Sequence, residues 1–494
     1  MMTVVQQTCD DRELDALFPS PSAPPSVLSP PRYPGISPEA VAALTYVLKD
    51  NHTKYHIFFN NMRLHNHIAH RTLALYAAGA SGSLIEQFYE EDGSYQRPVV
   101  EPPEAITEAN FMEHLGDEKF YAAYITFFSK VVKEKGVSAT LEEYIFCKKY
   151  NFVEGRDAST QPVMLARFLG ALFHPFIHVG YGVEFGIPGI VVEGLALTSV
   201  SKHDFLPLYL FEPSSTTAVE ETTTRLASLA LNTKISIAPS QLEQPRKGHA
   251  FSILAKIMED SEFAPKEIKK YLKTDVNRLM SEHGATIWRY AEQWTIDPSQ
   301  PGEIERKIEE CIWTSTLLYA IGGWNKDRGL AADFFFMHFV TASLFLPSLL
   351  PYLPPNSQVL FLHGYFASTL AWWITRGFPR LHIQDFLSAT SHLSSEVKVA
   401  NPFLDIVQSA ITHPNEHLPK VQRALAHFSS LYGARPKGYF KGTELDGAEG
   451  LDGSLFFTAA RLTEECMSEG TRSTEEYLSE GTSPWSYAGF PASD

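Results

Sequence analysis

Cysteine is scarce. Only Cys9, Cys147, Cys311 and Cys466 occur in 494 residues, and no two form a CxxC pair. That excludes a disulfide framework and a thiolate zinc site as organising devices. Basic residues are outnumbered, 41 Lys and Arg against 57 Asp and Glu, for a formal net charge of −16. With no basic stripe to meet phosphates, neither nucleic acid nor an anionic membrane surface is an expected partner. Long apolar runs are missing as well: Phe339–Leu353, the nearest approach, is cut by Pro347, Pro351 and Tyr352 and falls short of the ~20 residues that span a bilayer. Asp10, Asp11, Arg12 and Glu13 stand where a signal peptide needs an apolar stretch, so the chain is expected in the cytoplasm. Alternating strands with hairpin turns are not evident, and β-branched runs such as Thr233–Ile237 are few and short. No GxGxxG follows a strand, and there is neither a GxSxG elbow nor a P-loop.

What the chain has is helical pattern. Residues Pro19–Pro34 contain seven prolines and read as an extended or disordered arm. Ser37-Pro38-Glu39 then reads as a helix start, with a hydroxyl cap, proline in the first turn and an acid beside the amide dipoles. Helical spacing follows over Glu39–Lys49, Tyr55–Ala78, Pro162–His178, Ile190–Val200, Asp275–Gln293, Glu303–Ile321, Asp333–Leu346, Val359–Thr375 and Pro419–Leu431. Gly, Ser and Glu dominate from Gly442 onward. The expected organisation is a disordered arm over 1–36, a single mainly α-helical body over 37–440, and a partly disordered tail over 441–494.

Histidine is the anomaly, at 18 residues with several spaced by three or four. On a helix over Tyr55–Ala78, His56, Asn60, His67 and His70 share one stripe, and His65 turns away. In Pro162–His178, His174 and His178 lie one turn apart in an apolar segment, with Tyr181 on the same face. Buried imidazoles need a partner for each nitrogen, and an i, i+4 pair presents two neutral rings to one cation. Pro175 is expected to disturb the preceding turn, and Gly180 and Gly182 to end the helix. Glu193 is a lone carboxylate in an apolar helix, suited to orienting a histidine or pairing with an arginine. His338 sits in the apolar stretch Asp333–Leu346, and His417, Lys420 and Arg423 follow at threes around a helix start. Each cluster alone also reads as hydrogen-bonded structural histidines or a surface charge run. Together, four apolar segments each bring a histidine, as a histidine-rich metal centre between packed helices requires. Nitrogen-dominated ligation suits iron, copper, zinc or nickel.

The stretches HIFFN (56–60), HNHIAH (65–70), HPFIHVGYGVEF (174–185), DFFFMH (333–338) and EHLPK (416–420) leading to Arg423-Ala424-Leu425 resemble the questin oxidase-like proteins, in order across about residues 50–435. The resemblance implies an oxygenase of secondary metabolism. Its substrate would be an anthraquinone-type aromatic polyketide, opened with O2 by Baeyer–Villiger-like monooxygenation or by dioxygenation. It implies a non-haem iron with histidine ligands, a carbamylated lysine for which Lys420 is the position that fits, and NADPH as an associated reductant. The expected metal-holding set is His67, His70, His174, His178, His338, His417 and Lys420. Tyr181, Glu193 and Arg423 are the expected catalytic groups, hydrogen bonding or stabilising charge on the oxygenated intermediate. Abundant Phe together with Trp372-Trp373 fits a flat apolar ligand. The alternative is a helical protein that binds an aromatic metabolite or a partner without catalysis.

Overall fold

Ser37 opens the first long helix as its sequence predicts: its Oγ accepts the Ala40 amide at 3.1 Å, and Pro38 and Glu39 occupy the first turn. The computed structural model describes residues 11–202, 248–271, 274–393, 400–468 and 485–491; Cys9 and Thr233–Ile237 lie outside them. The helices are α1 Asp11–Leu17, α2 Pro38–Lys54, α3 Ile68–Ala77, α4 Gly82–Gly93, α5 Tyr121–Leu141, α6 Met164–Leu169, α7 His174–Phe185, α8 Pro188–Val200 and α9 Ala250–Met258. They continue as α10 Pro265–Ile268, α11 Val276–Gln293, α12 Glu303–Leu317, α13 Phe334–Ser343, α14 Leu346–Leu349 and α15 Pro355–Thr375. The last are α16 Ile383–Thr390, α17 Pro402–Thr412, α18 Leu418–Tyr432 and α19 Ser454–Ser468. Among the described residues the only strands are Trp324–Asn325 and Gly329–Leu330, a two-residue antiparallel pair. The mainly α expectation holds.

One apolar core runs through the molecule. Its centre is the α7–α8 hairpin, with α5 and α6 against α8, and with α3, α13 and α18 meeting on the other side. Glycine permits the closest approaches here. A Cβ on Gly182 would lie 2.6 Å from the Val191 backbone nitrogen, and one on Gly194 would lie 2.8 Å from that of Val179. One stretch, Phe334–Tyr352, is long and apolar enough to cross a membrane by length and composition, and 89 % of it is buried inside the protein. It is core.

Three sequence expectations are corrected. The helix expected over Tyr55–Ala78 begins only at Ile68. Asn60 Oδ1 accepts the amides of Met62 and Leu64, each at 3.1 Å, and Asn66 Oδ1 accepts that of Ile68 at 3.0 Å. These side chains hydrogen-bond the backbone into a turn and a cap, and Phe58 pairs with His65 across the loop. The helix expected over Pro162–His178 is broken at Ala171, Leu172 and Phe173, whose φ values are 50, 55 and 63°. Pro175 therefore stands in the first turn of α7, where no amide hydrogen is required of it. Gly180 and Gly182 lie inside α7, which ends at Gly186 with φ 65°.

The third correction concerns the arm. Residues 11–36, expected to be disordered, are packed on the body. Phe18 is 2 % exposed, seated over Gly189 and edge-on to His52. The Ser22 amide donates to Phe185 O at 2.8 Å, that of Tyr33 to Ala77 O at 2.8 Å, and Ser29 Oγ meets Ser348 Oγ at 2.9 Å. Proline fixes an extended backbone but does not keep it off a surface that offers acceptors and an apolar seat. Deleting residues 1–36 is therefore expected to lower the denaturation midpoint, and Phe18→Ala alone to cost about 3 kcal/mol. Chemical unfolding of the two variants checks this; an unchanged midpoint on deletion would show that the arm is dispensable.

Candidate metal centre

Four segments deliver the histidines. His67 precedes α3 and His70 lies in its first turn; His174 opens α7 and His178 follows one turn later. His338 sits on α13, whose start is fixed by Asp333 Oδ1 accepting the amides of Phe335 and Phe336. His417 precedes α18, with Lys420 in its first turn. All seven expected metal-holding residues are buried, from 1 to 8 % exposed. The charge run expected as one reading of 417–423 is inside the protein.

Four of the rings close on one another. Centroid separations are 4.6 Å from His67 to His417, 5.3 Å from His417 to His338, 4.8 Å from His338 to His174 and 5.2 Å from His174 to His67. His174 thus faces inward within contact of His338, as the shared face of α7 predicts. The backbone supports this: the left-handed turn at 171–173 brings Ala171 O to 2.6 Å from His174 Nδ1.

Proton accounting defines what the chamber can hold. Burial holds His174 and His417 neutral, pushed down to about 3 and about 4, and drives His67, His70 and His338 well below the usual histidine range. A neutral imidazole has one N–H. His174 donates it from Nδ1 to Ala171 O, and His338 donates from Nδ1 to Phe334 O at 2.7 Å. His417 Nδ1 lies 3.1 Å and His67 Nδ1 3.3 Å from Glu416 Oε1. Burial opposes a charge on Glu416, but these imidazoles outweigh it and hold the carboxyl low. Each ring that spends its hydrogen at Nδ1 presents Nε2 as a bare lone pair. Among the described residues His338 Nε2 and His417 Nε2 are buried without hydrogen-bond partners. His67 Nε2 and His174 Nε2 face each other at 3.0 Å. His174 Nε2, its hydrogen spent at Nδ1, accepts a hydrogen from His67 Nε2 or takes a cation in its place, and with the unpartnered Nε2 atoms of His338 and His417 the donor set fits a nitrogen-preferring metal. Among the described residues, His67, Glu416 and His417 are the group of three whose ligand atoms lie within 4.8 Å of one another.

His70 and His178 form a neighbouring layer. His70 Nε2 and His178 Nδ1 are 3.0 Å apart, His178 Nε2 donates to Glu193 at 2.8 Å, and His52 Nδ1 donates to the other Glu193 oxygen at 2.7 Å. Burial works against ionisation of Glu193, but the hydrogen bonds from His178 and His52 prevail and hold it at about 2. Glu193 therefore orients a histidine. Tyr181 stacks on His70 with centroids 5.2 Å apart, and Arg423 pairs with the buried Glu184. Neither Tyr181, Glu193 nor Arg423 lines the cavity described next.

That cavity, about 490 Å³, is walled by His67, His174, Glu416 and His417 together with Phe59, Phe334, Phe335, Trp372, Trp485 and Tyr487. Trp373, by contrast, is core. His56 is away from the centre, held by Arg97 and Glu118 O. His65, expected to turn away, stacks on His174 at 3.9 Å. Glu416, His65, His52 and the two C-terminal aromatics were missed. Glu416 was visible in EHLPK as the carboxylate next to a histidine; the others depend on loops whose course no periodicity reveals.

Residues 64–425 match the family model described as Questin oxidase-like. The chain is 25 % identical over 418 residues to "Questin oxidase" of Aspergillus terreus, covering 81 % of this chain and 83 % of that one. It is 24 % identical to "Baeyer-Villiger oxidase ptaJ" of Pestalotiopsis fici, over 78 % and 80 % of the two chains. It is also 24 % identical to "Baeyer-Villiger monooxygenase AacuH" of Aspergillus aculeatus, over 81 % and 80 %.

Neutral burial carries a pH dependence. His56 and His427, outside the chamber, are both pushed down to about 4 by burial. Below about pH 6.5 the unfolded chain takes up protons that the folded chain refuses, so stability rises with pH through this window. Lowering the pH from 6.5 to 4 is expected to destabilise the fold by up to about 1.4 kcal/mol per unit for each such histidine. Urea midpoints at pH 7.5 and 5.0 check the sign; equal midpoints contradict it.

Proposed function

We propose, from the premise that this chain belongs to the questin oxidase-like family and is an oxidoreductase, that it opens a ring of an anthraquinone-type aromatic polyketide with O2 at a histidine-held non-haem iron. The observation that carries this reading is the meeting of converging imidazole lone pairs with an aromatic-walled cavity. Membership of an oxidase family decides against the non-catalytic binding protein.

A bound redox metal would supply the activation of O2 that a closed-shell aromatic ring needs. His67, His174, His338 and His417 would hold it, with His70 and His178 next to them. The protein's own residues perform the rest. Ala171 O and Phe334 O fix the tautomers of His174 and His338, and Glu416 lies beside His67 and His417, so the rings would meet a bound metal with little reorganisation. The apolar wall excludes water and presents flat faces to a fused-ring substrate. A phenol lying along His67, Glu416 and His417 meets a carboxylate that accepts its hydrogen. That hydrogen bond orients the ring and draws electron density toward its oxygen, while a carboxylate held this low leaves the proton on the phenol. Glu193 acts through His178, and Tyr181 stacks on His70. Arg423, spent on Glu184, supports the wall behind them. For NADPH the fit is poor: the only strands among the described residues are two residues long, with no strand, glycine loop and helix to hold a dinucleotide.

Lys420 supports the carbamylated-lysine reading. Its ammonium is 2 % exposed, and burial lowers it to about 7, with Glu416 and Asp92 opposing that fall. At neutral pH a substantial fraction is the free amine, the form that adds CO2. The resulting carbamate is an anionic oxygen ligand. Lys420→Ala is expected to fold and to retain severalfold less metal by elemental analysis. Depleting bicarbonate should lower metal retention in the wild type and leave the variant unmoved. Wild-type metal content in Lys420→Ala would remove the lysine from the set.

A further inference from the structure

The family match ends at residue 425, yet the cavity wall does not. Residues 485–491 return to the centre along a fixed path. The Ser486 amide donates to Ala332 O at 3.0 Å, and the Phe334 amide donates to Ser486 O at 2.9 Å. Further on, the Phe490 amide donates to Arg376 O at 2.7 Å. Gly377, at φ 110°, has no Cβ that would otherwise stand 2.2 Å from Phe490 O. The anchorage beneath is the Asp333–Arg376 ion pair, 2.7 Å long with both side chains fully buried. The segment is therefore tied to the same aspartate that starts the helix carrying His338.

This path puts two aromatic rings on the cavity. Trp485 is 2 % exposed, and its Nε1–H donates to Asn415 Oδ1 at 3.0 Å. The same Oδ1 accepts the His417 amide at 3.0 Å, and the Trp485 and His417 rings are 6.3 Å apart. Tyr487 stacks on Phe334, centroids 4.6 Å apart at 26°, and Phe334 lies against both His338 and His417. A surface of stacked rings beside the reactive centre selects by planarity and by the number of fused rings it can cover.

We propose that Trp485 and Tyr487 are specificity-determining residues, forming the face against which a planar fused-ring substrate lies and setting how extended that ring system is. The inference rests on the aromatic-substrate reading above. The experiment titrates full-length, metal-loaded protein with chrysazin, a three-ring dihydroxyanthraquinone, and with naphthol, a two-ring phenol. The wild type is expected to prefer chrysazin by at least ~10-fold. Trp485→Ala and Tyr487→Ala should each shrink that preference by roughly 3–10-fold while metal content stays at the wild-type level. Trp485→Phe, which keeps a ring but loses the hydrogen bond to Asn415, should retain most of it. Should Trp485→Ala fail to fold, Tyr487→Ala and Trp485→Phe carry the test. Wild-type preference in folded variants overturns the inference alone. A Trp485→Phe variant as impaired as Trp485→Ala overturns it for Trp485, which then acts as a tether on Asn415. A wild type that binds neither compound overturns the aromatic-substrate reading and this inference with it.

Discussion

The contact on which the rest depends is the 3.0 Å approach of His67 Nε2 to His174 Nε2, two buried rings beside the cavity. His174 has spent its Nδ1 hydrogen on Ala171 O, so its Nε2 meets His67 as an acceptor, a position that a cation would fill equally well. The scaffold must hold them there. Part of that work is done by the left-handed turn at Ala171, Leu172 and Phe173, a conformation that costs roughly 1–2 kcal/mol for each L-residue. Three such residues in succession persist only where the surroundings overdetermine them. Here the turn aims Ala171 O at His174 and makes Ala171 and Leu172 part of the cavity wall. Local strain and site geometry are one feature.

The supports around this contact are buried pairs rather than apolar packing alone. Asp333–Arg376 fixes the start of α13 behind His338. Arg71 joins α3 to the loop before α18 by bonding Asp92 at 2.8 Å and His413 O at 3.0 Å, which sets His70 against His417's segment. Glu184–Arg423 ties α7 to α18. A buried pair contributes little net stability over an apolar replacement, whereas losing one partner costs about 3–5 kcal/mol. Such pairs therefore specify relative placement. They hold together the four segments whose histidine rings meet.

Legibility followed periodicity. The apolar helix that carries His338, the one-turn spacing of His174 and His178, and the capped start at Ser37 were readable because 3.6-residue spacing and hydroxyl or proline caps are local signals. So was the convergence of histidine-bearing segments, since an imidazole in a Phe-rich helix demands a partner. His56 and His65 were misassigned for one reason: a helix was drawn through Asn60 and Asn66, whose side chains instead bond the backbone and turn the chain. Glu193 was legible as an orienting group, but its second partner His52 lies 141 residues away in sequence. Long-range pairs of this kind leave no trace in spacing.

The ends of the chain carry the same lesson furthest. Proline-rich and Gly/Ser/Glu-rich composition was read as loose, yet both ends contain segments that bury aromatic rings: Phe18 against α8 and His52, Trp485 and Tyr487 beside His417 and Phe334. Composition averages over a window, while docking needs only one or two rings and a few backbone hydrogen bonds from it. Residues 11–36 bond α7, α14 and α18 through Ser22, Ser29 and Leu28. They thus brace the outer faces of helices whose inner faces carry His174, His178 and Lys420. The C-terminal segment bonds both ends of the Asp333–Arg376 pair's backbone surroundings, at Ala332 O and Arg376 O. Residues 11–36 and 485–491 thus fasten to the elements that aim the histidines. These segments reach the centre from two sides, and the rings the C-terminal one brings, Trp485 and Tyr487, also line the cavity.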